Sequence, residues 1–305
     1  MSVLIICPGR KPESWVQAIN NEHSGIKINV YPEDHEKEEV EYAISWKHPR
    51  GVFKNYPNLK VIASMGAGVD HITGDPEIPE DIIITRVVDE QLSIDMGVFV
   101  LALIMDHLRN ISFHSNNVHW ESKPYLRIED VRIGIMGAGI LGQAVAKRLI
   151  SNGFQVSGWA KESKALENFE VFGERQLDKF LEKTDILVCL LPLTSDTENI
   201  LNKELFEKLP DGAYIINVAR GQHLVEQDLL EMVNSGHLSG ASLDVFKKEP
   251  LPEDHIFWSN DKIKITPHIA SVTDPAKVVP QIIENYRRME KGEPLENVVK
   301  REKGY

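Results

Sequence analysis

The segment Gly137-Ala-Gly139-Ile-Leu-Gly142 sets glycines in the spacing G-x-G-x-x-G, the pattern of a turn that carries a dinucleotide pyrophosphate. Alone it is a weak signal, because 20 glycines in 305 residues can produce it by chance. Its surroundings sharpen it. The β-branched run Val131–Met136 leads in, Ile140–Ser151 leaves with helical period, and Phe154–Trp159 follows as a second strand. That is a β-α-β unit. In it Gly137 permits the tight turn, Gly139 lets backbone approach the phosphates, and Gly142 lets helix pack closely on strand. Ile140 and Leu141 open the helix, whose N–H groups and positive dipole end face the phosphates.

The residues after the second strand bear on which dinucleotide is bound. An NAD site carries an acidic side chain about 20 positions on, for the ribose 2′-hydroxyl. Here the strand ends Trp159-Ala160-Lys161-Glu162-Ser163-Lys164. Lys161 and Lys164 stand where a 2′-phosphate would sit, which favours NADP, while Glu162 keeps NAD open. A second glycine turn, Met65-Gly66-Ala67-Gly68-Val69-Asp70, follows the strand candidate Leu59–Ser64. Its Ala67 and Gly68 N–H groups suit a carboxylate. Trp46, at the end of another strand candidate, is a candidate pocket wall.

These residues need a scaffold, and the chain supplies one by rhythm. Strand candidates Val3–Cys7, Ile26–Tyr31, Tyr42–Trp46, Leu59–Ser64 and Ile82–Val87 alternate with helix candidates such as Pro12–Asn21. A second block continues with Ile186–Leu191, Ala213–Val218, Ala241–Val245 and Ile263–Thr266, separated by helices over 177–182, 203–209 and 226–235. Such alternation predicts an α/β fold of doubly wound, parallel sheets covered on both faces. Ile94 to Leu108 is apolar nearly all round and predicts a buried helix at a domain junction or subunit interface. Asn110 to Glu129 is a polar and aromatic arm. The last helix, Pro275 to Lys291, returns to the first domain, so residues 1–97 plus 272–305 form one domain and 98–271 another, inserted in it.

Composition narrows the partners. Lys plus Arg is 34 and Asp plus Glu is 46, a formal charge of −12. An acidic chain argues against a broad nucleic-acid footprint, which needs a basic stripe. The apolar runs read as too short to cross a bilayer, and the N-terminus lacks the pattern of a signal peptide. Cys7 and Cys189 are too few for a disulfide framework and fit a reducing, cytoplasmic setting. No cluster with metal-ligand spacing stands out.

Further segments carry a family likeness: Leu190-Leu-Pro-Leu-Thr194, Leu209 to Gly221 ending in Asn217-Val-Ala-Arg-Gly221, Leu243-Asp-Val-Phe246, Glu249-Pro-Leu-Pro252 and Thr266-Pro-His-Ile-Ala270. With the two glycine turns, in this order over nearly the whole chain, the sequence resembles the D-isomer specific 2-hydroxyacid dehydrogenases. It is most similar to their branch of glyoxylate/hydroxypyruvate reductase A. The resemblance implies a Rossmann coenzyme domain inserted in a flavodoxin-like substrate domain. It implies an active site of Arg220, Glu249 and His268, and a cofactor site lined by Leu191, Pro192, Val218, Ala219 and Asp244. The chemistry is consistent: a guanidinium engages a carboxylate and a keto oxygen together, and an imidazole held by a carboxylate can protonate that oxygen. The implied reaction is NADPH-dependent reduction of a small 2-oxo acid, glyoxylate or hydroxypyruvate, to the D-2-hydroxy acid by a homodimer. The carboxylate would be held by Arg220 and the Gly66–Gly68 loop. Two alternatives stay open: a dinucleotide-sensing, corepressor-like binding protein, and a phosphoglycerate dehydrogenase-like enzyme.

Overall fold

Parallel strands cannot be joined by tight turns and need crossovers, which the alternating chain provides. The computed structural model describes residues 2–166 and 169–301 and builds two sheets, one of five strands and one of eight. The chain divides into two compact units, Met1–Glu90 with Thr273–Tyr305, and Gln91–Val272.

In the first unit the strands are β1 (Ser2–Ile6), β2 (Lys27–Val30), β3 (Val40–Ser45), β4 (Val61–Ser64) and β5 (Ile83–Thr85), with helices α1 (Glu13–Glu22) and α2 (Asp70–Thr73). All pairings are parallel, in the order β2-β1-β3-β4-β5. Both faces are covered, so β1 is buried along its whole length and reads as an unbroken apolar run. Each expected strand lies in place, most of them trimmed by a residue or two at the ends.

The second unit opens with α3 (Glu90–Arg109) and α4 (Ile111–Asn116). Then follow β6 (Arg132–Met136), α5 (Ile140–Ser151), β7 (Gln155–Trp159), β8 (Lys164–Leu166), β9 (Phe169–Phe172), α6 (Leu177–Leu181) and β10 (Ile186–Cys189). It closes with α7 (Lys203–Phe206), β11 (Ala213–Asn217), α8 (Glu226–Ser235), β12 (Leu238–Leu243) and β13 (Ile263–Ile265). The sheet order is β13-β12-β11-β10-β6-β7-β9-β8, parallel except for the terminal β8–β9 pair. The order reverses at β6, with β7 on one side and β10 on the other. Ligands of open α/β sheets bind outside the carboxyl ends at such a switch point. The final helix α9 (Pro275–Lys291) belongs to the first unit.

Three expectations change. Strands β8 and β9 were not foreseen, although Phe169 and Val171 are buried with Glu170 exposed between them. That alternation is a strand signal, masked by the polar residues around it. The apolar helix α3 is long and apolar enough to span a bilayer by length and composition, contrary to the reading of its runs as too short. Its apolarity has a use within the unit: Met96, Val100, Ile104 and Leu108 pack into the core with Val131, Ile133, Val145 and Leu149. Only one face is buried, however; Ile94 and Val98 on the other are exposed. The sequence boundary at 97/98 also falls inside this helix, which stays with the core that its buried face completes. Cys7 and Cys189 are buried free thiols.

The amino ends of β6 and β10 are tied by one charged contact. Arg132 donates from Nε and Nη2 to the two oxygens of Asp185, at 2.8 and 2.7 Å, and its backbone N–H donates to the same carboxylate. Burial alone would raise the Asp185 carboxyl, but hydrogen bonds and charge from Arg132 outweigh it and hold the group below its usual range. A carboxyl lowered in the folded state adds stability above its unfolded pKa of about 4, and this is lost as pH falls through the folded value. Asp185→Asn is therefore expected to lower the melting temperature at pH 7. The gap to the parent protein should close below about pH 4, read by thermal melts across pH.

Candidate active site

At the end of β6 the chain must turn into α5 within three residues. Gly137 does so at φ +106°, where a side chain is strained, and a Cβ there would stand 2.6 Å from the carbonyl oxygen of Leu190. Gly137 N–H donates to Trp159 C=O, which locks the turn to β7. At Gly139, the N-cap of α5, a Cβ would meet nothing within 4 Å, and no side chain caps the helix. Among the described residues the helix start is thus uncapped, with open space beside a small residue. This is the shape that a pyrophosphate fills, so the residues fit a dinucleotide. Gly142 is buried in α5, Ile140 is exposed, and Leu141 is partly buried against the core.

Beyond β7, Trp159 is buried and Lys161 is exposed, its ammonium 3.7 Å from Asp196. Both partners are about three-quarters exposed, and such a pair holds weakly. Lys164 begins β8, and its side chain lies outside the described residues. At the end of β10, Leu191 is buried beside Pro192, and past β11 Val218 and Ala219 are buried too.

Arg220 leaves the carboxyl end of β11 and is set by its neighbours. Asn217 is fully buried; its side chain accepts from Ala219 N–H and donates to Arg220 C=O. Gly221 follows, where a Cβ would lie 1.9 Å from the Phe246 carbonyl carbon. Only glycine lets the Arg220 turn sit this close to the segment leaving β12. The guanidinium Nη1 donates to Ala219 C=O at 2.6 Å.

The adjacent strands supply the other two residues. Asp244, fully buried past β12, accepts three hydrogen bonds: from Thr266 Oγ1 at 2.6 Å, Ile269 N–H at 3.0 Å and Ala270 N–H at 2.9 Å. These bonds bracket His268, whose φ is +55°, a left-handed backbone that costs a non-glycine residue about 1–3 kcal/mol. Hydrogen bonds to a charged acceptor contribute about 1.5–3 kcal/mol each, enough to hold it. The ring is fixed as well. His268 Nδ1 lies 2.9 Å from Glu249 Oε2, while Glu249 Oε1 accepts from Phe246 N–H. Nδ1 is thereby engaged by the carboxylate. The His268 side chain is 28% exposed, enough to be reached.

In sequence terms, Glu249 and His268 are brought into direct contact, and Arg220 rises from the neighbouring strand end of the same sheet. Trp46 and the Gly66 loop lie in the first unit. There Trp46 stacks under the Arg10 guanidinium (4.1 Å to the ring centroid) and beside His71 (4.9 Å). Gly66 N–H donates to Ser64 Oγ, which itself donates to Gly68 C=O. Gly66 therefore has its N–H engaged within the loop, and Ala67 and Gly68 are the more exposed members. Asn217, Thr266 and the clamping task of Asp244 escaped sequence reasoning. Asn217 and Thr266 lie inside the quoted motifs as polar residues at strand ends, which was the available signal.

Comparison with known proteins agrees with this architecture. The profile of the D-isomer specific 2-hydroxyacid dehydrogenase NAD binding domain matches residues 101–270. A glyoxylate/hydroxypyruvate reductase A from Photorhabdus laumondii is 36% identical, with 100% of both chains covered. An NADPH-dependent glyoxylate/hydroxypyruvate reductase from Sinorhizobium meliloti, solved with NADP and sulfate, is 36% identical with a TM-score of 0.91 over 100% of both chains. A D-isomer specific 2-hydroxyacid dehydrogenase from Xanthobacter autotrophicus, solved with NADPH and MES, is 37% identical with a TM-score of 0.92, covering 100% of this chain and 99% of the other. The chain belongs to the D-isomer specific 2-hydroxyacid dehydrogenases, a family of NAD(P)-dependent oxidoreductases.

Proposed function

We propose that this protein reduces small 2-oxo acids, glyoxylate and hydroxypyruvate, to the corresponding 2-hydroxy acids (the D form where the product is chiral) with NADPH. The observation that carries this reading is the Glu249–His268 contact at 2.9 Å, on the sheet edge that also bears Arg220 and the uncapped start of α5. The reduced nicotinamide, when bound, supplies the hydride that the carbonyl carbon accepts.

The chain's own residues do the rest. Gly137, Gly139 and Gly142 with the first turn of α5, including Ile140 and Leu141, hold the pyrophosphate. Leu191, Pro192, Val218 and Ala219 wall the coenzyme site. Asp244, besides clamping the His268 segment, is assigned to the coenzyme side of it. Arg220 binds the substrate carboxylate and polarises the keto oxygen, and its permanent charge makes it suited to both. Within the first unit, the Gly66–Gly68 loop is assigned to carboxylate binding and Trp46 to a substrate wall. His268 delivers a proton from Nε2 to the carbonyl oxygen as it becomes an alkoxide, and Glu249 orients the ring. Atoms balance as 2-oxo acid plus NADPH plus a proton giving 2-hydroxy acid plus NADP⁺.

The coenzyme preference rests on Lys161 and Lys164 in place of an acidic strand end. A 2′-phosphate carries more charge than Asp196 offers, so Lys161 exchanges one partner for the other. The reading extends to assembly and compartment. Exposed apolar residues on α3 and the arm after it, Val98, Ile111, Val118, Trp120 and Leu126, favour a homodimer through that surface. The buried free cysteines favour a reducing cytoplasm.

A panel of 2-oxo acids assayed at 340 nm with NADPH and NADH tests the reaction. Turnover of glyoxylate or hydroxypyruvate with NADPH is expected, and a protein that binds NADPH but turns over no 2-oxo acid would revive the binding-protein alternative. His268→Ala is expected to lose roughly 10²–10⁴-fold in kcat. Arg220→Ala should raise KM for the oxo acid and lower kcat, because it contacts both the carboxylate and the reacting oxygen. For the coenzyme, Lys161→Glu should weaken NADPH more than NADH, by about tenfold for one lost phosphate contact. Equal loss for both coenzymes would remove Lys161 from the 2′-phosphate site.

A further inference from the structure

His223 is fully buried, and nothing in the reaction above uses it. It ends the single helical turn 221–223 that follows Arg220. Its ring stands across the opening between two strand ends. Nδ1 lies 3.2 Å from the carbonyl oxygen of Arg220, and Nε2 lies 3.3 Å from the carbonyl oxygen of Pro192. These two residues sit on the substrate side and the coenzyme side of the proposed site. The strands that carry them are neighbours, and their last ladder pair is Cys189 with Asn217. Just past that pair, the bond from Val218 N–H to Cys189 C=O has lengthened to 3.4 Å. The ladder ends there, and the imidazole lies between the two carbonyls beyond it.

We infer that His223 is a positioning residue that bridges Arg220 to the Leu191-Pro192 turn and so sets the substrate arginine relative to the coenzyme wall. The inference rests on the function assigned above. The ring's form decides how much it can hold: a neutral imidazole has one N–H and donates to one carbonyl, whereas a charged one donates to both. Burial of a polar ring against two acceptors is costly unless they are used. Local folding does not depend on the ring. Arg220 C=O also accepts from Asn217 Nδ2 and from His223 N–H, and Pro192 C=O also accepts from Thr197 Oγ1. Removing the ring thus strands neither carbonyl and instead frees the two turns to move independently. Bound reactants tolerate little such movement, since a displacement of about 1 Å can cost 10²-fold in rate.

The test compares His223→Phe, which keeps the volume and removes both contacts, with two partial mimics. The Asn amide stands near the position of Nδ1 and can reach Arg220 C=O; the Gln amide extends to the position of Nε2 and can reach Pro192 C=O. Circular dichroism and thermal melts report folding, calorimetric titration reports NADPH affinity, and steady-state assays report glyoxylate reduction. His223→Phe is expected to fold, to lose roughly 10- to 100-fold in kcat/KM for glyoxylate, and to bind NADPH several-fold more weakly. His223→Asn should recover glyoxylate kinetics more than NADPH affinity, and His223→Gln the reverse. A residue that merely filled space would give no such crossed rescue. The bridge is overturned if His223→Phe keeps both quantities within twofold of the parent, or if Asn and Gln recover neither. Should His223→Phe fail to fold, the Asn and Gln comparison decides by the same criterion. A parent protein inert toward 2-oxo acids contradicts the assigned reaction instead, and the NADPH titrations then decide the bridge alone.

Discussion

His268 occupies a backbone conformation that its side chain disfavours, and the buried carboxylate of Asp244 holds it there. Three donors from residues 266 to 270 converge on that carboxylate, so the segment can adopt one shape only. With the backbone set, the ring reaches Glu249, and Glu249 in turn is set by Phe246 N–H. Everything proposed for the site depends on this chain of restraints. A proton donor must meet its acceptor within hydrogen-bond reach, and a surface loop without such ties would not keep it there. The strain at His268 is maintained by neighbouring bonds, as at other sites where backbone geometry serves chemistry.

The same logic extends across the sheet edge. Arg220, Asp244 with Glu249, and His268 follow the carboxyl ends of β11, β12 and β13, which lie side by side in parallel register. Parallel pairing puts all carboxyl ends on one edge, so these four residues, from three separate segments of the chain, come from neighbouring positions in space. The glycine turn lies further along that edge, where the order reverses at β6. The chain as a whole carries −12, yet the function proposed above brings anionic ligands to a few placed groups: a permanent guanidinium, an imidazole, an exposed lysine and a helix start. Net charge governs solubility and long-range encounter, and local geometry governs which anion is held.

Much of this was legible in the sequence because the relevant constraints are local. A β-α-β unit with spaced glycines leaves a pattern in a short window, and Gly137 and Gly139 sit as that pattern requires. Strand positions follow from apolar runs that both-sided burial demands. What was not legible depends on contacts between distant segments. Asp244 sits in a motif and was assigned to the coenzyme, but that its two oxygens clamp residues 266–270 appears only when β12 and β13 pair. The left-handed backbone of His268 carries no local signal, since it is imposed by Asp244 rather than preferred by His-Ile. The β8–β9 edge was hidden because edge strands carry charge to discourage pairing, which dilutes their alternation. The apolarity of α3 was visible, but which face it buries was decided by the core of the second unit.

Whether Glu249 acts through His268 is decided by a double-mutant cycle on the rate of hydride transfer. Single-turnover oxidation of NADPH by glyoxylate would be followed for the parent, Glu249→Gln, His268→Ala and the double variant. If the carboxylate works only by orienting the imidazole, the double variant will be no slower than His268→Ala, and the two losses will be far from additive. Additive losses would show instead that Glu249 contributes independently of His268.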